Sequence, residues 1–177
     1  MAVSNPARAA NQIVVGIGKM AVSKERDSQI VTHALGSCLG ITIFDPVAGV
    51  GGMLHAMLPE AREEADHGEE RAAMFVNTGI PRLFKACYAL GAEKPRLELR
   101  VAGGAALRAK ADGDYFQIGK RNFQMLRKLL WKNNVLISAQ EVGGNQSRTM
   151  TLDLQTGEVR LRSKGKEYPL KSEDAQR

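Results

Sequence analysis

Two residue types capable of nucleophilic chemistry stand close together in VTHALGSCLGITIFDPVAGVGGMLHAMLPEA, which runs from Val31 to Ala61. Cys38 follows a Gly36-Ser37 pair, and His55 lies seventeen positions later in an apolar, strand-like run. A cysteine nucleophile needs backbone that exposes its sulfur and brings N–H donors near a developing oxyanion. Gly36-Ser37 ahead of Cys38 and Gly40 behind it can supply such a turn. The thiol also needs a base within reach, most often histidine. Taken alone, the pattern around Cys38 favours a buried structural cysteine beside a turn. His55 reads equally well as a core histidine with one hydrogen bond. The Gly51-Gly52 pair weakens that second reading, because glycines at a strand start let another backbone, or a substrate, approach closely.

Other candidates have poorer settings. Cys87 falls on an apolar helical stripe with Leu83 and Leu90, where burial would raise its pKa and suppress its reactivity. His33 lies on a strand face turned the other way, and His67 lies in a charged loop. No CxxC, HxxxH or HExxH spacing is present, so no metal site is expected. GxSxG is absent, which argues against a serine hydrolase. AGGAA and GGNQS could cradle a phosphate, but neither is a P-loop or a GxGxxG; glycine loops beside an active site are the more economical reading.

The elements that must position these residues follow from periodicity. Residues 12–23 and 29–35 read as β-segments separated by a polar stretch. LGITIFD follows as a strand closed by Asp45-Pro46, and then GVGGMLHAML, with Met53, His55 and Met57 on one face. PEAREEADHGEE reads as an exposed loop. From Arg71 to Leu90 the apolar residues Val76, Ile80, Leu83, Cys87 and Leu90 recur at helical steps, with Gly91 placed to end the helix. Pro81 inside that run should kink the helix or mark a fresh start. RLELRVAGG is a strand entering a glycine pair, and GKRNFQMLRKLLWKN a helix with Phe123, Leu126, Leu129 and Leu130 inward. VLISAQEVGG is a further strand, and TMTLDLQTGEVRLRSK a hairpin about Thr156-Gly157. Many strands with two helices, lacking regular βαβ alternation, indicate an α+β domain.

The 177 residues suit one domain with a substantial core. Hydrophobic content of 44% with 25% charged residues is that of a globular protein. No apolar run has membrane-helix length, and the first eleven residues lack a signal-peptide core. A cytoplasmic chain without membrane insertion, with both cysteines free, is therefore expected. The balance is basic, with 25 Lys and Arg against 19 Asp and Glu. The positive residues are dispersed and only 5% of residues are aromatic, so nucleic acid is a poor fit. An acidic protein partner or a solvated surface fits better.

LGSC followed by DPVAGVGGMLHAMLP resembles the chemoreceptor glutamine deamidases, the CheD family of bacterial chemotaxis. The resemblance continues in AGGA at Ala102 to Ala105, IGKRN at Ile118 to Asn122 and EVGGNQSR at Glu141 to Arg148, spanning roughly Gln12 to Ser163. It implies a layered α/β/β fold of mixed sheets with two to three helices, related to toxin-type cysteine deamidases. It implies a single deamidase domain with loose ends, and a catalytic triad of Cys38, His55 and Thr32 that needs no cofactor. The implied activity converts glutamine side chains of chemoreceptor cytoplasmic domains to glutamate. Some relatives also bind a CheC-family phosphatase, which keeps open a non-enzymatic signalling module. The position two before Gly36 is often glycine in relatives and is Ala34 here, and His33 is unusual.

Overall fold

A computed structural model describes residues 11–63, 68–107 and 117–172 of the chain. Its strands are β1 (Asn11–Val14), β2 (Met20–Ser23), β3 (Ser28–Leu35), β4 (Leu39–Asp45), β5 (Val50–Ala56), β6 (Glu98–Gly103), β7 (Ala139–Val142), β8 (Arg148–Asp153), β9 (Val159–Ser163) and β10 (Lys166–Pro169). The helices are α1 (Val76–Ala89) and α2 (Ile118–Lys132). Two five-stranded sheets result, ordered β1-β3-β8-β9-β10 and β2-β5-β4-β6-β7. Both are mixed: β1 runs parallel to β3 and β6 parallel to β7, within otherwise antiparallel ladders.

β4 and β5 are buried along their whole length, as strands covered on both faces must be. Leu39, Ile41 and Ile43 join Val50 and Leu54 in a core shared with Ile80 and Leu83 of α1 and Leu126 and Leu130 of α2. The alternate residues Phe44 and Met53 face the other way, into a second core with Ile30, Leu35, Met150, Leu152 and Leu161. Burying one such side chain is worth roughly 1.5–3 kcal/mol, so both interfaces contribute heavily to stability. The arrangement is α+β in three layers, helices on sheet on sheet, as expected. No helix among the described residues is long and apolar enough to cross a membrane.

Several local expectations change. Residues 12–23 are not one segment: β1 belongs to the first sheet and β2 to the second, with a corner at residues 15–19 between them. Gly51 and Gly52 admit neither a backbone nor a substrate. A Cβ on Gly51 would strike Leu154 and Leu152, and one on Gly52 would strike Leu83, Val22 and Cys87, so both glycines are demanded by core side chains from the two flanking layers. The helix starts afresh at Val76, after a 3-10 turn at Ala72–Met74 and an extended Phe75, and continues through Pro81. It ends as expected at Gly91, with Gly91 N–H donating to Tyr88 and Ala92 N–H to Cys87. Of VLISAQEVGG only Ala139–Val142 pairs, and Leu136 is exposed. β10 extends the hairpin through Lys164-Gly165, both at positive φ, a turn that matches strand twist. In the charged loop Glu60, Arg62 and Glu63 are exposed but Pro59 and Ala61 are buried, and His67 lies outside the described residues.

Candidate active site

Thr32 aims inward by the alternation of β3, two residues after the core residue Ile30, and an irregularity follows it. Thr32 pairs with Met150 of β8 and Leu35 with Arg148, so three steps on β3 answer two on β8. The bulge lets Thr32 and Leu35 both bury inward, which the period of two forbids for an odd spacing. Ala34 takes the strain with φ of 56°, the left-handed region that favours glycine. His33 is exposed on the outer face, as expected.

Thr32 and His55 are both fully buried, and the sandwich brings them together from facing sheets. The Thr32 hydroxyl donates to the Val15 carbonyl at 2.6 Å and lies 2.7 Å from His55 Nδ1. A hydroxyl has one proton, and the carbonyl can only accept it. Thr32 must therefore accept from Nδ1–H, which leaves Nε2 of the neutral imidazole as the unprotonated nitrogen. The backbone of His55 is held by the corner between β1 and β2: Gly18 N–H donates to His55 O at 2.8 Å, and His55 N–H to Lys19 O at 3.0 Å.

Cys38 stands immediately before β4, two positions from Gly40, whose register partner is His55. It is half-buried and packs against the core between the sheets, the layer that His55 enters. Its turn is pinned by three carbonyls. Gly36 O accepts from Ala105 N–H at 2.8 Å, Cys38 O from Gly104 N–H at 2.9 Å and Ser37 O from Asn122 Nδ2 at 3.0 Å. Gly103 must be glycine, since φ is 109° and a Cβ there would collide with the Cys38 carbonyl oxygen. The structure does not join thiol and imidazole by a hydrogen bond: Nε2 is buried without a partner among the described residues.

Burial pushes His55 down to about 4, so its imidazole is neutral at physiological pH. Burial also raises the Cys38 thiol, partly offset by its own backbone N–H, which lies against the sulfur. The two residues therefore rest as a neutral thiol and a neutral base, not as an ion pair. Cys87, fully buried on α1, is pushed up to about 12 by burial, as its helix-stripe position predicts.

Sequence reasoning gave no role to two residues that build this corner. Asn122 is fully buried and bonds both Ser37 O and Met57 O. Arg148 donates to Glu141 Oε1 at 2.8 Å, Gly143 O at 2.9 Å and Gly103 O at 3.3 Å, while Tyr168 donates to the same carboxylate at 2.8 Å. This fastens both glycine loops beside the Cys38 turn. The signal available for Asn122 was a polar residue set among Gly119, Leu126 and Leu130 at helical spacing.

A family model described as CheD chemotactic sensory transduction matches residues 57–163. The probable chemoreceptor glutamine deamidase CheD 1 of Syntrophus aciditrophicus is 45% identical over 86% of this chain and 94% of its own. Probable chemoreceptor glutamine deamidases CheD of Solibacter usitatus and Pyrococcus abyssi are 42% and 44% identical, over 90% and 85% of this chain and 93% and 91% of theirs. The family-model match begins beyond Thr32, Cys38 and His55, but matches as long as those to the relatives span all three positions. By both measures the chain belongs to the CheD family.

Proposed function

We propose that this protein is a protein-glutamine deamidase, converting glutamine side chains of chemoreceptor cytoplasmic domains to glutamate through a thioester on Cys38. One observation carries the assignment of roles: the Thr32 hydroxyl, committed to Val15 O, fixes His55 with Nε2 as a buried free base on the face that Cys38 enters. Family membership and the names of the relatives support the substrate class. The three-layered α/β/β architecture is compatible with kinship to toxin-type cysteine deamidases.

The chemistry follows from these groups. Entry of a carboxamide, whether a receptor side chain or a small reagent, tightens the approach of Sγ to Nε2, because catalytic hydrogen bonds shorten in the bound complex. Nε2 takes the thiol proton as sulfur attacks the carboxamide carbon, and the carbonyl oxygen becomes an oxyanion beside the Cys38 N–H. The C–N bond then breaks, and the imidazolium returns its proton to the leaving amide nitrogen, which departs as ammonia. Water, deprotonated by the same Nε2, attacks the thioester carbon. The C–S bond breaks, sulfur recovers its proton, and the product is glutamate. Thr32 keeps the imidazole in the one tautomer that serves both halves.

The test is incubation with a receptor cytoplasmic fragment and peptide mass mapping of Gln-to-Glu conversion, with Cys38→Ala as control. Conversion by the wild type and none by folded Cys38→Ala is the expected result. Unchanged glutamines across a panel of receptors would favour a binding module acting through receptors or a CheC-family phosphatase. Substantial conversion by Cys38→Ala would end the covalent mechanism.

A further inference from the structure

We propose that Asn122 is a positioning residue, one carboxamide that holds the backbones of the nucleophile and the base in register; this rests on the deamidase reading above. Its Nδ2 donates to Ser37 O and to Met57 O, each at 3.0 Å. Ser37 immediately precedes Cys38, and Met57 lies two residues beyond His55. Those segments are 65 and 85 residues away from Asn122 in the chain, and a single side chain on α2 joins them. The orientation of the amide is unambiguous, because turning it over would set Oδ1 against two carbonyl acceptors.

The bond to Ser37 acts through peptide geometry. Ser37 C=O and Cys38 N–H belong to one planar trans unit and point in opposite directions. Holding that carbonyl toward Asn122 therefore aims the Cys38 N–H the other way, against its own sulfur, where the oxyanion forms. The bond to Met57 fixes the chain just past the base. The arrangement also leaves Asn122 Oδ1 buried without a partner among the described residues. An apolar residue at this place in the stripe would avoid that orphaned acceptor, but it would not join the two strand ends. Slack of about 1 Å between reacting groups is worth roughly 10²-fold in rate, so this clamp acts on kcat.

The test compares alkylation of Cys38 by iodoacetamide at neutral pH in wild type, Asn122→Ala, His55→Ala and the double variant, together with kcat and KM on a receptor fragment. Asn122→Ala should slow alkylation about 5- to 10-fold and lower kcat by about 10²-fold with KM little changed. On the His55→Ala background it should slow alkylation no further, because the base it positions is gone. A residue that only filled space would do the opposite, since its loss would expose the sulfur and speed alkylation with or without His55. Unchanged or faster labelling in Asn122→Ala overturns the proposal. Should Cys87 label as fast as Cys38 there, the sign of an unfolded variant, Asn122→Ser carries the comparison: it retains one donor, and its rate should lie between those of wild type and His55→Ala. Alkylation needs no receptor, so a wild type that deamidates nothing would sink the deamidase reading and leave this comparison intact.

Discussion

The Thr32 hydroxyl and His55 Nδ1 lie 2.7 Å apart across the gap between two facing sheets. Because that hydroxyl also donates to Val15 O at 2.6 Å, one contact decides both the tautomer of the base and the direction its free nitrogen faces. As the proposed third member of the catalytic unit, Thr32 would work by geometry, with no charge to lend to an imidazolium.

Removing the hydroxyl at constant volume should expose this role. Thr32→Val leaves both Nδ1–H and Val15 O without their partner, a destabilisation of about 1–3 kcal/mol. It should lower kcat by about 10- to 10²-fold, less than the 10²- to 10⁴-fold typical for losing a general acid–base, as in His55→Ala. Thr32→Ser should retain most activity. Steady-state kinetics on a receptor fragment decides the matter, and equal losses in Ser and Val variants would assign Thr32 to packing alone.

The buried base should leave a mark on stability against pH. His55 titrates near 4 in the folded protein against an ordinary 6.5, because burial disfavours its charged form. Between those values the unfolded chain binds the extra proton, so stability rises with pH. The contribution is complete above about pH 6.5 and is lost as pH falls toward 4, amounting to about 3 kcal/mol at roughly 1.4 kcal/mol per unit. Urea unfolding across that range should show the slope in wild type and a flatter one in His55→Gln. Parallel curves would place the titration elsewhere.

Thiol labelling separates the two cysteines without any substrate. Cys38 is half-buried in a turn, whereas Cys87 is fully buried and pushed up to about 12. Brief alkylation near neutral pH followed by peptide mapping should find Cys38 modified and Cys87 intact. Faster labelling of Cys87 would remove Cys38 as the nucleophile.

The bulge offers a gain in stability. Ala34 sits at φ of 56°, where an L residue costs about 1–2 kcal/mol, while glycine loses about 0.5–1 kcal/mol more chain entropy on folding. Ala34→Gly should therefore stabilise by about 0.5–1 kcal/mol, and β-branched Ala34→Val should destabilise by more than that. Thermal melts of the three proteins test the order, and a less stable glycine variant would mean that the bulge is held by something other than φ.

The sequence by itself determined what depends on near neighbours. The glycine turn before Cys38, the face shared by Met53 and His55, and the stripe from Val76 to Cys87 all express periods of two or 3.6 residues, and each is present in the fold. The motifs also carried the family, and with it the expectation about Thr32. Tertiary structure decided the rest. Gly16 and Gly18 are a local signal for the corner at residues 15–19, but which sheet β1 and β2 each complete is set only by tertiary packing. Leu35 buries on the same side as Thr32, three residues before it, only because pairing with β8 inserts a bulge. The protonated nitrogen of His55 follows from a carbonyl 17 residues before Thr32. Asn122 resembles any polar interruption of an apolar stripe until the sheets bring Ser37 and Met57 to its amide. Such contacts join residues far apart in the chain, and their partners exist as neighbours only once both sheets and α2 have packed.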